Sequence, residues 1–132
     1  MENRDTNVFE LRGGILGVVT PQSSAEEAFQ NITLRPILKL QNDLFIQVFV
    51  NYATKQKNVF FGLTPDKKMN YIENSIHRDM KFRNLLKGMI MGFFTVNEFE
   101  QYLKNSSNLN KRMMNLLIER LKSQLQVLEN SI

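Results

Sequence analysis

The chain has 132 residues, 42% of them apolar, with 10 Phe, 7 Met, no Cys and a formal net charge of +4. That length suits one domain with a single core and is too short for two. The apolar fraction excludes a disordered chain, and the lack of cysteine excludes disulfides, thiolate nucleophiles and cysteine-held zinc.

The charge is uneven, with 4 basic and 6 acidic side chains over 1–44 against 13 and 7 over 45–132. Basic character is therefore C-terminal, which permits weak polyanion binding only where the charges share a face. The first residues mix Glu2, Arg4, Asp5, Glu10 and Arg12 ahead of a short Gly-interrupted apolar stretch at 13–19. Without a small-residue cleavage pattern no secretory leader is expected there, and a cytoplasmic protein is expected. The most apolar runs, 44–50 and 88–94, are far shorter than the roughly 18 residues of a membrane span.

In chain order, residues 1–23 carry Gly13, Gly14, Gly17 and Pro21 with no sustained period, and are expected to form an arm. Its apolar centre, Ile15, Leu16, Val18 and Val19, would be unfavourable in water and calls for docking on the domain or on a neighbour. The helical domain, 24–132, begins at Ser24-Ala25-Glu26-Glu27, a capping-box pattern that opens a short helix through about Asn31. The next helix is expected over 33–57, with Thr33 as N-cap and Pro36 in its first turn, where a missing N–H costs nothing. Leu34, Ile37, Leu38, Leu44, Phe45, Val48, Phe49 and Tyr52 recur at three- and four-residue steps as its inward stripe. Leu40, Ile46 and Val50 fall off that stripe and need a cover of their own.

Residues 58–63 read as a packed aromatic connector, with a short strand as the alternative. Thr64-Pro65-Asp66 then starts a helix with N-cap, first-turn Pro and an acid at the positive dipole end. A segment at about 78–91 follows, closed by Gly92, and the pattern leaves open whether it continues the preceding helix or kinks from it. Thr95-Val96-Asn97-Glu98 is a second capping box, opening a helix to about Lys104. The last helix is expected over about 109–129, long enough with the 33–57 helix to frame a bundle. The fold class expected is all-α, a single-domain bundle of about five helices.

Candidate chemistry is sparse. His77 is the only histidine, and Glu73 shares its helix face, an arrangement better suited to a solvated ion pair than to a general base. A helical di-iron site needs Glu-x-x-His from two helices, which one histidine cannot supply. Asp43, Asp66, Asp79, Glu98 and Glu100 have cap and surface roles, and no phosphate loop, nucleophile elbow or dinucleotide fingerprint occurs. No catalytic residue, cofactor or metal ligand is assigned. Arg78, Lys81, Arg83 and Lys87, with Lys111 and Arg112, are the candidate polyanion-binding residues, although their spacing scatters them around their helices. Phe60, Phe61, Phe93 and Phe94 fit a core better than base stacking.

Leu34-Arg35-Pro36-Ile37-Leu38-Lys39-Leu40-Gln41-Asn42-Asp43, with Tyr71-Ile72-Glu73-Asn74, Met80-Lys81-Phe82-Arg83-Asn84 and Leu109-Asn110-Lys111-Arg112-Met113-Met114-Asn115, resembles a group of short uncharacterised bacterial all-helical proteins, some labelled glyoxalase. The resemblance covers about residues 28 to 128 and implies helical structure but no site residue. Metal-dependent glyoxalases have βαβββ modules with a metal held by His and Glu from strands. Helical periodicity and a single histidine depart from both features.

The leading functional expectation is a non-enzymatic helical module that self-associates as a homodimer through Ile15, Leu16, Val18, Leu40, Ile46 and Val50. Nucleic-acid or polyanion binding through the basic C-terminal surface stands second. A small-molecule enzyme or sensor with a cavity near His77 or Tyr71 stands third. No membrane partner is expected.

Overall fold

The computed structural model describes residues 2–14, 17, 19–21 and 23–130. Ile15, Leu16 and Val18, three of the expected self-association residues, lie outside the described residues. The described chain is helical, with no strand among its residues, and no helix in it is long and apolar enough to cross a membrane. It holds nine α-helical segments rather than about five: α1 Glu2–Arg12, α2 Ala25–Phe29, α3 Arg35–Leu40, α4 Asn42–Lys55, α5 Pro65–Arg78, α6 Met80–Met91, α7 Val96–Lys104, α8 Ser106–Lys122 and α9 Leu125–Asn130. A π turn, Gln30–Leu34, joins α2 to α3, and a 3-10 turn, Val59–Gly62, precedes α5.

The arm expected at the N-terminus contains a docked helix. Alpha-helical polarity hid it, because Val8 is its main buried apolar side chain. Polar bonds hold it instead. Arg4 donates to the carbonyls of Phe94 and Gly92 at 2.8 and 2.9 Å, and Asp5 accepts from the Val96 amide at 3.3 Å. Gly13, at φ +76, ends α1 in the left-handed conformation that glycine adopts without Cβ strain. Gly17, at φ +93, passes so close to the π turn that a Cβ would sit 2.6 Å from Asn31 Oδ1.

Thr33 is not an N-cap. The chain is helical from Ala25 onward, and Pro36 sits inside that run. Proline has no N–H to give to the carbonyl four residues back, that of Ile32, which would be left unpaired in a regular helix. The structure answers in two ways. The backbone widens into the π turn just before Pro36, and Arg12 Nη2 donates to Ile32 O at 3.0 Å. Thr33, buried, turns its hydroxyl to Glu98.

The expected long helices are both bent, and at the same place in space. Gln41, at φ −90 and ψ 4, separates α3 from α4, and Ser123 and Gln124 separate α8 from α9. Neither break contains Gly or Pro. Asn42 and Gln124 instead exchange amide hydrogen bonds, each 2.8 Å, that tie the two bends together. Between α5 and α6, Asp79 leaves the helix (ψ 99) and caps α6 by accepting from the Phe82 amide at 3.1 Å. The helix starts read at Ser24, Thr64 and Thr95 hold: Ser24 accepts from the Glu27 amide and Thr64 from the Lys67 amide, but of the two capping boxes expected only Thr95 with Glu98 is complete, Ser24 capping without a return bond from Glu27.

One apolar cluster draws on every helix from α2 to α9, with Phe45, Phe49, Phe60, Ile72, Ile76, Leu86, Ile90, Met113 and Leu117 essentially buried. Helix α5 packs on α6 and α8, and α9 on α4. The inward stripe on α4 differs by one row from the expected one. Ile46 and Val50 are buried, whereas Leu44 is 50% exposed and Leu40 38% exposed. Phe45 and Phe49 belong to both apolar rows, so spacing alone did not decide which row faced inward. With α9 and the 3-10 turn packed on α4, the row of Ile46, Val50 and Ala53 is the covered one.

Candidate functional site

Two concave regions join along α4 and the α5–α6 corner. The wider, about 790 Å³, is lined by Tyr52, Tyr71, Ser75, Arg78, Asp79 and Lys81. It continues into a narrower groove of about 290 Å³ between α4 and α6, where Val48, Phe82 and Leu85 make the wall. Tyr52 and Asp79 belong to both.

The Tyr52 hydroxyl donates to Asp79 Oδ2 at 2.9 Å, and its ring stacks on Phe82 with centroids 3.9 Å apart. Burial, then the hydrogen bond to Asp79 and its negative charge, push the Tyr52 phenol up to about 12. Asp79 lies below the usual carboxylate range, first because the Phe82 amide donates to it and then because Tyr52 does. A tyrosine held neutral beside an ionised carboxylate that already caps a helix is a rigid floor with its protons committed. Replacing Asp79 with Ala is expected to fray the first turn of α6 and speed amide exchange at Phe82 roughly fivefold, as hydrogen-exchange NMR would show.

Of the six candidate polyanion residues, the structure brings two together. Arg78 and Lys81 are exposed and border the wider cleft, and neither enters an ion pair among the described residues. Arg83 folds back to His77 O at 3.4 Å and to Met80 Sδ at 3.2 Å. Lys87 is half-buried on α6 and Lys111 exposed on α8. Arg112 is occupied by Gln30 Oε1 at 3.0 Å and Glu26 at 3.5 Å. Lys68, beside this set in sequence, is buried, paired with Glu129 and placed 5.6 Å over the Phe60 ring.

His77 is exposed, and the Glu73 carboxylate takes Lys122 Nζ at 3.0 Å as its partner. The Lys122 hydrogen bond is the main reason Glu73 lies below the usual glutamate range, with His77 a lesser contributor. No group of three His, Cys, Asp or Glu among the described residues is arranged to hold a metal ion. Phe60 and Phe94 are core, and Phe61 and Phe93 pack against it.

The strongest polar constellation, which sequence reasoning did not find, lies under α1. Arg12 and Glu98 form a buried two-bond pair at 2.6 and 2.8 Å. Thr33 Oγ1 and the Thr95 amide donate to the same carboxylate at 2.5 and 2.8 Å, and Arg12 also reaches Phe93 O at 3.2 Å. Arg12 Nε is buried without a hydrogen-bond partner among the described residues. Both carboxylate oxygens are engaged by internal donors, so the cluster fastens α1, the π turn and α7 together.

Comparison with family models, curated proteins and solved structures finds no match to this chain.

Proposed function

We propose that this chain is a non-catalytic helical interaction module that pairs with a second copy of itself through the outward face of α3 and α4. The supporting observation is exposed Leu40 and Leu44, 38% and 50% exposed, followed at the next four-residue step by half-buried Val48, with Leu85 of α6, 53% exposed, at the same groove as Val48. Of the residues first expected to self-associate, Leu40 remains on this face, while Ile46 and Val50 serve the core.

A second copy is the occupant this row suits, because a two-fold axis sets the leucines of each copy against those of the other.

Sedimentation equilibrium at tens of micromolar is expected to give a dimer little affected by salt, and Leu44→Glu to weaken it by roughly a hundredfold. The axis presents each leucine twice, and burial of two such side chains amounts to about 3 kcal/mol or more. A strict monomer overturns this reading.

A second reading rests on Arg78 and Lys81, two cations at one cleft that enter no ion pair among the described residues. It makes the module a polyanion binder, and its signature is affinity for a short single-stranded nucleic acid that falls steeply with salt.

A further inference from the structure

On the far side of α3, a groove of about 450 Å³ runs between α3 and the bend that separates α8 from α9. Leu38 and Leu116 contribute its apolar surface, and Arg35, Arg120, Ser123 and Gln124 its polar groups. The two arginines are both half-buried, and neither enters an ion pair among the described residues. Arg35 donates to the neutral amide oxygen Asn31 Oδ1 at 2.9 Å, and Arg120 to Asn42 Oδ1 at 3.3 Å. Glu119, also at the groove, is turned toward Lys122 at 3.7 Å and its side chain is 75% exposed.

Two guanidinium groups sharing a concavity whose carboxylate, Glu119, pairs with Lys122 rather than with either of them repel each other. Burial first, and then the charge of Arg35, lowers the Arg120 pKa. Such repulsion lessens stability unless something offsets it. The scaffold around it is stiff. The Asn42 and Gln124 amides are locked to each other, Gln124 Nε2 also donates to Arg120 O at 2.9 Å, and Ser123 Oγ donates to the same carbonyl at 2.7 Å. The bends at Gln41 and at Ser123 and Gln124 therefore hold Arg120 at the groove, and the π turn with Asn31 holds Arg35.

We propose that this groove is a binding site for the phosphate group of a small molecule, clasped between Arg35 and Arg120. Each guanidinium has donors beyond the one used internally, and its planar fork suits an oxyanion. A phosphate monoester, with close to two negative charges at neutral pH, neutralises both cations at once, which a single carboxylate cannot. The apolar floor of Leu38 and Leu116 accommodates the carbon skeleton that carries the phosphate. This site is separate from the α4 face and stands or falls independently of dimer formation.

The test is thermal unfolding with inorganic phosphate and with glycerol phosphate, each against chloride at matched ionic strength. Both are expected to raise Tm with concentration as mass action requires. Arg35→Gln and Arg120→Gln should each weaken the apparent affinity by about tenfold or more, the loss of a charge-assisted contact. Arg78→Gln/Lys81→Gln, at the other cleft, should leave it unchanged. Arg35→Gln leaves the Asn42 and Gln124 lock untouched, so it answers the question even if Arg120→Gln fails to fold. Absence of a phosphate effect beyond chloride overturns the proposal. So does full phosphate binding by Arg35→Gln, or succinate raising Tm as much as glycerol phosphate.

Discussion

Arg12→Met is expected to destabilise the protein by about 3–5 kcal/mol, because it leaves the Glu98 carboxylate buried beside donors that cannot match a full countercharge. For a chain of this length that is a fall in Tm of roughly 10–20 °C. Glu98→Gln should cost a similar amount by stranding the guanidinium, which is almost fully enclosed and bonds to two carbonyls besides Glu98. The double variant Arg12→Met/Glu98→Gln should cost clearly less than the two single effects added, since the residues act as a unit. Additive losses in urea titrations would show that the pair contributes little beyond packing.

The same pair gives an acid-sensitive signature. Burial alone would raise the Glu98 pKa, but the donors of Arg12, Thr33 and Thr95 prevail and hold it below the usual glutamate value of 4.5. A folded-state pKa below the unfolded one means that the stabilisation is complete above about pH 4.5 and is lost as pH falls through the folded value. Wild type should thus lose stability more steeply below about pH 4 than Glu98→Gln. Glu26, Glu73 and Asp79, lowered chiefly by Asn105, Lys122 and the Phe82 amide respectively, act in the same direction and remain in both proteins.

Phe49→Ala should be comparably severe, about 3–5 kcal/mol, for a different reason. Phe49 is fully buried on α4, and its ring lies 5.1 Å from Phe60, 6.3 Å from Tyr71 and 6.3 Å from Phe82. Truncation removes the common neighbour of rings on α5, α6 and the 3-10 turn, leaving a cavity that no single shift can close. Phe49→Leu should recover more than half of the loss, and near-UV circular dichroism should report the loosened rings. An alanine variant within 1 kcal/mol of wild type would mean that the surrounding aromatics collapse freely.

What the residues disclosed in advance was the chemistry that acts within one turn. Ser24, Thr64 and Thr95 cap helices because a side-chain oxygen and an amide three positions away are close whatever the rest of the chain does. The sequence-distant features were opaque for the complementary reason. Nothing near Gln41 or Ser123 breaks a helix by propensity, since the bends depend on Asn42 and Gln124 finding each other across 82 positions. Helix α1 lacks an apolar stripe, so periodicity missed it, and its docking groups are carbonyls and an amide of residues 92–96. Pro36 read as a helix start because its missing N–H usually marks one, whereas here a distant arginine serves the orphaned carbonyl. Arg78 and Lys81 were recognised as cations, but their cleft exists only because Asp79 turns the corner between α5 and α6.

The span between Arg12 and Glu98 also has a consequence for biosynthesis. The arginine precedes its carboxylate by 86 positions, an interval of about 4–17 s at ribosomal speeds of 5–20 residues per second. Throughout that delay α1 can reach only its nearer partners, α3 and the Ile32 carbonyl, and its many hydrophilic side chains suit it to waiting in water. Its complete seating therefore has to await synthesis of α7.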